Sequence, residues 1–337
     1  MSAATAADPT RRAEPTLDWT PISPPSVPRC YDGGANFGRL DAEQCAFDAA
    51  KIAVVPLPYD STCSARGGMR EGPSRILQAS WWIDFFHSHL RFDPADVGIA
   101  TLDDVHPHMG GPRQHIERIA QVCDNALAFD KFLVTLGGEH TVTVGVCAAL
   151  AKRFGPFSIL QIDAHLDLRD QWEDTPWNHA CVMRRMAELV TAAGGDGSRS
   201  LVQVGIRNVC QDEQAYLDEH QLRPFFARDL HELPTKDWVQ AAVDRLGPRV
   251  LVTVDLDGFD PSVMPAVGTP EPGGLTWSQG TSLLREVFRQ REVIALDVNE
   301  LCPIAGQNVS EVAAARLIAE CLAYKFAPAD AWKHWQF

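Results

Sequence analysis

The sequence lacks two features that would mark a nucleic-acid or membrane protein. It has no Lys/Arg block longer than pairs such as Arg11-Arg12, and 30 basic side chains face 44 acidic ones, for a formal net charge of −14. This balance argues against binding to nucleic acid or anionic lipid and is compatible with a small cationic substrate. No segment approaches the roughly 18 to 20 uninterrupted apolar residues of a transmembrane helix. The N-terminus also lacks a basic region followed by an apolar one, so we expect a cytoplasmic protein.

The sequence also lacks Cys-x-x-Cys pairs. Its nine cysteines are an odd number and are scattered along the chain. A disulfide framework or a zinc knuckle is therefore not expected, and buried free thiols are the simplest interpretation.

The composition is that of a globular protein, with 45% hydrophobic residues in a chain of 337. Residues 1–28 are rich in proline and show no apolar periodicity, so they predict an extended N-terminal arm. No internal repeat and no second type of composition follows. We therefore expect a single domain over residues 29–337.

Within this domain, short runs of Val, Ile and Leu alternate with longer segments of helical period. The predicted strands are Ile52–Val55, Phe132–Leu136, Phe157–Ile162, Leu201–Val204, Val250–Val254 and Val293–Leu296. Helices are predicted near 74–86, 113–128, 142–153, 180–193, 235–246, 277–289 and 308–323. Such alternation predicts an α/β fold with a largely parallel sheet covered by helices on both faces.

Three predicted strands are followed directly by residues that bind metals. The three segments are Gly137-Gly138-Glu139-His140, Asp163-Ala164-His165-Leu166-Asp167 and Asp255-Leu256-Asp257. In extended backbone, side chains two apart point to the same face, which pairs Asp163 with His165 and Asp255 with Asp257. Four carboxylates in one crevice would repel each other, and divalent cations would neutralise them. Oxygen ligands with two imidazoles suit two ions, Mn²⁺ first, with Ni²⁺, Co²⁺ or Zn²⁺ as alternatives.

A simpler interpretation exists for each segment taken alone. A single Asp-x-Asp is usually a solvated turn or a helix cap, and a single histidine is usually a hydrogen-bonded structural residue. Three such segments, each placed after an apolar strand, favour a metal site because the carboxyl ends of parallel strands meet at one edge of the sheet.

These motifs resemble those of the ureohydrolase family, the arginases and agmatinases. The resemblance rests on Gly-Gly-Glu-His-Thr, Asp-Ala-His-Leu-Asp-Leu-Arg-Asp and Asp-Leu-Asp-Gly-Phe-Asp-Pro-Ser with a trailing Gly-Thr-Pro-Glu-Pro-Gly-Gly. It runs from about Asn36 to Phe326 and favours the agmatinase-like branch. It implies a three-layer αβα arginase-type fold and a dinuclear centre, usually of manganese. The implied reaction is hydrolysis of a guanidino C–N bond with release of urea and an amine.

The resemblance also implies a role for individual residues. One ion would be held by His140, Asp163, Asp167 and Asp255. The other ion would be held by Asp163, His165, Asp255 and Asp257, so that Asp163 and Asp255 bridge. His179 would relay a proton near the reacting carbon, and Glu300 would bind the guanidinium.

Some positions depart from the family pattern. The loop 64–73, which helps to shape the substrate entrance in relatives, is altered, and Asn178 stands where Ser or Asp is common. Trp172 and Trp177 flank the His179 segment, and we expect them, with Asn178 and Glu300, to contact the substrate. The Trp81-Trp82 pair and the histidines of the 87–89 and 106–108 segments are expected to have packing or surface roles.

The sequence leaves the substrate, the metal and the assembly open. Agmatine is the default substrate, and guanidinobutyrate, guanidine, dimethylguanidine or a biguanide such as metformin are alternatives. A deacetylase-like amidohydrolase would carry fewer carboxylate ligands, and a silent subunit of a mixed oligomer would have lost a ligand. A homo-oligomer, trimer or hexamer, is expected.

Overall fold

The predicted alternation of strands and helices is present in the computed structural model, which describes residues 17–31 and 34–335. The strands are β1 Ile52–Leu57, β2 Ile99–Thr101, β3 Phe132–Gly137, β4 Ser158–Ile162, β5 Leu201–Ile206, β6 Phe225–Phe226, β7 Arg249–Asp255 and β8 Glu292–Asn299. The helices are α1 Gly72–Ser80, α2 Pro112–Leu127, α3 Thr143–Phe154, α4 Val182–Ala192, α5 Gln211–His220, α6 Ala227–Glu232, α7 Thr235–Arg245, α8 Trp277–Gln290 and α9 Val309–Phe326.

The eight strands form one sheet in the order β2-β1-β3-β8-β7-β4-β5-β6, with every pairing between neighbours parallel. All six predicted strands are present. The two that the sequence did not predict, β2 and β6, are edge strands of three and two residues, too short for a recognisable pattern.

Helices cover both faces of the sheet, as predicted. In β1 every residue is buried, because Ile52 and Val54 pack into one hydrophobic cluster while Ala53 and Val55 pack into the other. The first cluster lies against α1 and α6 to α9, and the second lies against α2 to α5. The expected three-layer αβα architecture is therefore confirmed.

One predicted helix is shorter than expected. The segment near 74–86 forms α1 only as far as Ser80. The hydroxyl of Ser80 donates a hydrogen bond to the carbonyl of Leu77 and accepts one from the N–H of Gly38. Trp81 and Trp82 follow the helix. The indole N–H of Trp81 donates to the carbonyl of Asn36 (2.9 Å), whereas Trp82 is 81% exposed.

The predicted N-terminal arm lies partly outside the described residues, since the structure describes it only from Leu17. Residues 17–28 contain neither helix nor strand. They run along α2, where the side chain of Gln121 donates to the carbonyl of Thr20 and that of Asn125 donates to the carbonyl of Ser26. None of the helices in the described ranges is both long and apolar enough to cross a membrane.

Candidate metal centre

The carboxyl ends of the four central strands, β3, β8, β7 and β4, meet at one edge of the sheet. His140 follows β3, Asp163 follows β4, Asp255 is the last residue of β7, and Glu300 follows β8. The register of β7 and β8 sets Asp255 opposite Asn299. The parallel sheet therefore brings together side chains that are far apart in sequence.

The first predicted ligand group converges on the ring of His140, which is 1% exposed. Its Nδ1 lies 3.2 Å from Asp163 Oδ2, 3.1 Å from Asp167 Oδ2 and 3.5 Å from Asp255 Oδ2. The ligand atoms of His140, Asp163 and Asp255 all lie within 4.8 Å of one another. One imidazole and several carboxylates at this spacing can hold a divalent cation.

The second predicted group lies beside the first and shares Asp163 with it. His165 Nδ1 is 3.2 Å from Asp257 Oδ2 and 3.6 Å from Asp163 Oδ1. These three residues form another set of ligand atoms within 4.8 Å. Asp255 adjoins this set, because its Oδ1 accepts the backbone N–H of Asp257 (2.9 Å).

The hydrogen bonds of His140 leave one ring nitrogen available for a metal. Its Nε2 lies 2.9 Å from Thr253 Oγ1, and the Thr253 hydroxyl in turn donates to Asp297 Oδ2 (2.8 Å). Nε2 therefore carries the proton, and the buried Nδ1, which has no hydrogen-bond partner among the described residues, points its lone pair at the carboxylates. An imidazole fixed by its second nitrogen is the usual arrangement of a metal ligand.

Asp297 anchors this arrangement from beneath the site. It is fully buried and receives hydrogen bonds from Thr135, Thr143 (2.6 Å) and Asn299 (2.5 Å) in addition to Thr253. This network was not predicted from the sequence. It depends on the strand register, which places Thr135, Asp297 and Thr253 in one row across β3, β8 and β7.

The concentration of carboxylates shifts the titration of the groups around it. Burial lowers the pKa of His165, but the carboxylates of Asp257 and Asp163 outweigh burial and raise it to about 12. Burial, followed by the charges of Asp257 and Asp163, raises the pKa of Asp255 well above its usual range. Divalent cations would relieve this repulsion, so the donor set and its electrostatics fit a metal centre.

Two of the site residues have strained backbones. Asp167 and Glu300 have φ values of 54° and 67°, in the left-handed region. Such conformations cost on the order of 1 to 3 kcal/mol and persist where surrounding contacts enforce them. At Glu300 the enforcing contacts come from the β3 loop. Its N–H donates to the carbonyl of Gly138 (2.8 Å), and its Oε1 accepts the N–H of His140 (2.7 Å).

His179 begins a short 3₁₀ helix, His179–Cys181, that Asn178 caps by accepting the N–H of Ala180 (3.0 Å). Asn178 also donates to the carbonyl of Thr62 (3.1 Å). Asn178 is 1% exposed and lies outside the cavity wall. In contrast to the expected substrate contact, it fixes the segment that carries His179.

A cavity of about 210 Å³ opens above the metal ligands. Its wall includes both ligand histidines and Ser64, Arg169, Trp172, His179, Asn208, Glu213, Thr269 and Glu300. The structure therefore places Glu300, His179 and Trp172 in the wall of one cavity, and their roles stay predictions. Trp177 is placed differently, because its indole is 8% exposed and packs in the hydrophobic cluster between the sheet and α2 to α5.

Two further residues, not predicted from the sequence, hold the loops of the site. Glu139 is fully buried and accepts the N–H (2.7 Å) and the hydroxyl (2.6 Å) of Thr62, which connects the β3 loop to the His179 segment. Arg207 donates to the backbone carbonyls of Asp257 (2.6 Å) and Glu271 (2.7 Å). Glu139 is part of the Gly-Gly-Glu-His motif, so a signal for it was present.

The fold and the donor set together define a metal-dependent hydrolase. The family model of the Arginase family matches residues 50–324. The chain therefore belongs to the arginase family, and the expectation of a metal-dependent hydrolase of the ureohydrolase type is confirmed.

Relatives of known name agree with this assignment. An N(1)-aminopropylagmatine ureohydrolase of Synechocystis sp. is 38% identical over 303 residues, covering 87% of this chain and 94% of the relative. The agmatine ureohydrolase of Thermoplasma volcanium superposes with a TM-score of 0.75 at 28% identity, covering 85% and 95% of the two chains. The proclavaminate amidino hydrolase of Streptomyces clavuligerus superposes with a TM-score of 0.76 at 25% identity, covering 90% and 97%.

Proposed function

We propose that this protein hydrolyses the C–N bond of a small guanidino compound to urea and an amine, using two divalent ions. The observation that carries the proposal is the shared position of Asp163, whose carboxylate belongs to both ligand groups. Mn²⁺ is the proposed metal, and Ni²⁺ is the alternative. When bound, the ions would supply a water acidic enough to act as a nucleophile at neutral pH.

Glu300 is proposed to bind the guanidinium. It lines the cavity next to His140, and the backbone strain at this residue is consistent with a side chain held for function. A carboxylate binds a guanidinium by charge-assisted hydrogen bonds, which would fix the reacting carbon over the ligand groups.

His179 is proposed to relay the proton that the leaving amine requires. Its ring lines the cavity but belongs to neither ligand group. Burial lowers the pKa of His179 to about 4, so the ring is neutral at neutral pH and can accept a proton at its free nitrogen.

The substrate is proposed to be a small guanidino compound, and agmatine is the default to test first because relatives with agmatine-derived names share most of the chain length. The small cavity also suits other small guanidino compounds, such as guanidinobutyrate, guanidine or dimethylguanidine. The structure gives no support to a silent subunit, since every predicted ligand is present and converges.

We also propose a single ureohydrolase domain over residues 29–337 and a homo-oligomer, trimer or hexamer, in the cytoplasm. Exposed large apolar side chains such as Trp82, Phe86 and Val309 support self-association. Light scattering coupled to size-exclusion chromatography would give the mass of the assembly and reveal a monomer if the proposal is wrong.

The test of the proposed reaction is a panel of guanidino compounds. The protein is stripped of metal, reloaded with Mn²⁺ or Ni²⁺, and assayed for urea and for the released amine. Equal amounts of urea and amine from at least one compound are expected. Metal-loaded, folded protein that releases urea from none of them would contradict the proposal.

A further inference from the structure

One wall of the cavity carries a cation stacked on an aromatic ring. The guanidinium carbon of Arg169 lies 4.0 Å from the centre of the Trp172 indole, and both side chains line the cavity. Stacking fixes the plane of the guanidinium, and its N–H groups remain directed outward along that plane.

Within the described ranges, Arg169 has no carboxylate within ion-pair distance. Two arginines of α4 are different. Arg185 forms ion pairs with Asp170 (2.9 Å) and Glu188 (2.8 Å), and Arg184 lies 3.9 Å from each of the same two carboxylates. Arg169 therefore presents a positive charge to the cavity that no protein carboxylate neutralises at close range.

Besides Glu300 and the predicted metal ligands, the cavity lining contains one acidic residue, Glu213. Glu213 is 6% exposed, and its two oxygens accept the backbone N–H groups of Leu168 and Cys210, both at 3.1 Å. The carboxylate of Glu213 therefore caps the start of α5 and holds the loop that carries Arg169. Asn208, also on the wall, donates its amide to Glu271 (2.6 Å).

The wall therefore disfavours a cationic substrate tail. An ammonium group at the far end of a guanidino compound would face the like charge of Arg169, whereas a carboxylate would form a charge-assisted hydrogen bond with it. At about 210 Å³, the cavity also lies below the roughly 300 to 1,000 Å³ of pockets for drug-sized ligands, so a short chain fits best.

Building on the proposed function, we propose that Arg169 is a specificity residue that selects short guanidino carboxylic acids over aminoalkylguanidines. Trp172 supports this role by holding the guanidinium of Arg169, and it is not itself the contact for the substrate tail. The substrate's own guanidinium would still bind at Glu300.

The test compares three substrates with similar chains and different tail charges: 4-guanidinobutyrate, butylguanidine and agmatine. For the metal-loaded wild type, we expect kcat/KM to decrease in that order. Arg169→Gln should reduce the ratio of guanidinobutyrate to agmatine by about fivefold, the upper end of the range for a solvent-exposed ion pair, and Arg169→Glu should reverse the preference. Arg169→Lys should keep the order.

Arg184→Glu is the matched control. Arg184 also stacks on an aromatic ring, with its guanidinium carbon 4.4 Å from the centre of the Tyr216 ring, but it lies outside the cavity wall. This variant should retain the wild-type ratio. Circular dichroism and metal content identify any variant that has not folded.

Calorimetric titration with the same three compounds reports tail preference apart from catalysis when the metal-loaded proteins also carry His179→Ala, which makes turnover slow. Preference for agmatine in the wild type, or a ratio that the Arg169 variants leave unchanged, would overturn the inference even if urea is released. Absence of urea from every compound would instead contradict the proposed reaction. In that case the order of affinities for the three compounds alone tests the role of Arg169 in specificity.

Discussion

The carbonyl of Thr62 fixes the tautomer of His179, since it lies 2.7 Å from the ring Nδ1. A carbonyl can only accept, so Nδ1 carries the proton and Nε2 carries the lone pair. The hydroxyl of Ser64, 3.1 Å from Nε2, must then be the donor in that contact. The ring therefore presents a basic nitrogen to the cavity, and this nitrogen accepts the hydrogen bond of the Ser64 hydroxyl.

This geometry predicts that His179→Ala impairs turnover and leaves the metal in place. We expect kcat to fall by about 10²- to 10⁴-fold, the range of general acid–base catalysis, because the proton relay is lost. Elemental analysis should show the same metal content as in the wild type. His106→Ala, at an exposed position outside the cavity, is the control and should keep full activity. Metal loss in the His179 variant would contradict its role as a relay.

Glu139 is predicted to act through Thr62 on the position of His179. In Glu139→Gln, one of the two Thr62 donors would face an amide NH₂ that cannot accept a hydrogen bond. We expect kcat to fall by about 10- to 100-fold, the usual effect of a residue that orients a site, with KM little changed.

Three measurements separate this role of Glu139 from general unfolding. The melting temperature and the metal content of Glu139→Gln should stay close to those of the wild type, and Glu139→Asp should recover part of kcat. Glu43→Gln, at an exposed position, is the matched control. A change in KM alone would mean that Glu139 acts on substrate binding and not on the relay.

Asp163 is predicted to be needed for both metal ions, because it belongs to both ligand groups. In Asp163→Asn the reconstituted protein should lose both ions and its activity together. Asp237→Asn, on the exposed face of α7, is the control: it removes the same negative charge and should bind metal normally. A variant at Asp163 that retains full metal and full activity would refute the proposed ligand set.

Much of this candidate site could be predicted because each segment of predicted ligands lies at or just after the end of a central strand. The apolar runs before His140, Asp163 and Asp255 are buried on both faces, and parallel strands align their carboxyl ends. Local sequence therefore determined the position of each ligand. The convergence of the ligands followed from the topology alone.

The remaining features depend on contacts between distant segments. Thr62 and His179 are 117 residues apart, and no periodicity in either loop indicates that they meet. The same limit applies to Trp172 and Trp177. Their loop has no repeating pattern to show which indole faces the cavity and which enters the core.

His115 carries a prediction about stability that does not involve the metal centre. The ring is 1% exposed, it stacks on Tyr59 with centres 4.3 Å apart, and neither ring nitrogen has a hydrogen-bond partner in residues 17–31 and 34–335. Burial, followed by the charges of Arg118 and His108, lowers its pKa from 6.5 to about 4.

The pKa of this histidine is lower in the folded protein than in the unfolded chain. Between the two pKa values the unfolded chain binds a proton that the folded protein does not bind, and this difference opposes folding. The contribution of the neutral ring is therefore fully present above pH 6.5 and is lost as the pH falls from 6.5 to about 4. The loss is about 3 kcal/mol in the free energy of unfolding, since one pKa unit corresponds to about 1.4 kcal/mol.

In His115→Leu this part of the pH dependence should disappear. Denaturant unfolding of the metal-free proteins measures it as the difference between the two curves of stability against pH. The offset between the curves above pH 7 gives the packing cost of the substitution separately, and parallel curves between pH 6.5 and 4 would show that His115 is not buried as a neutral ring.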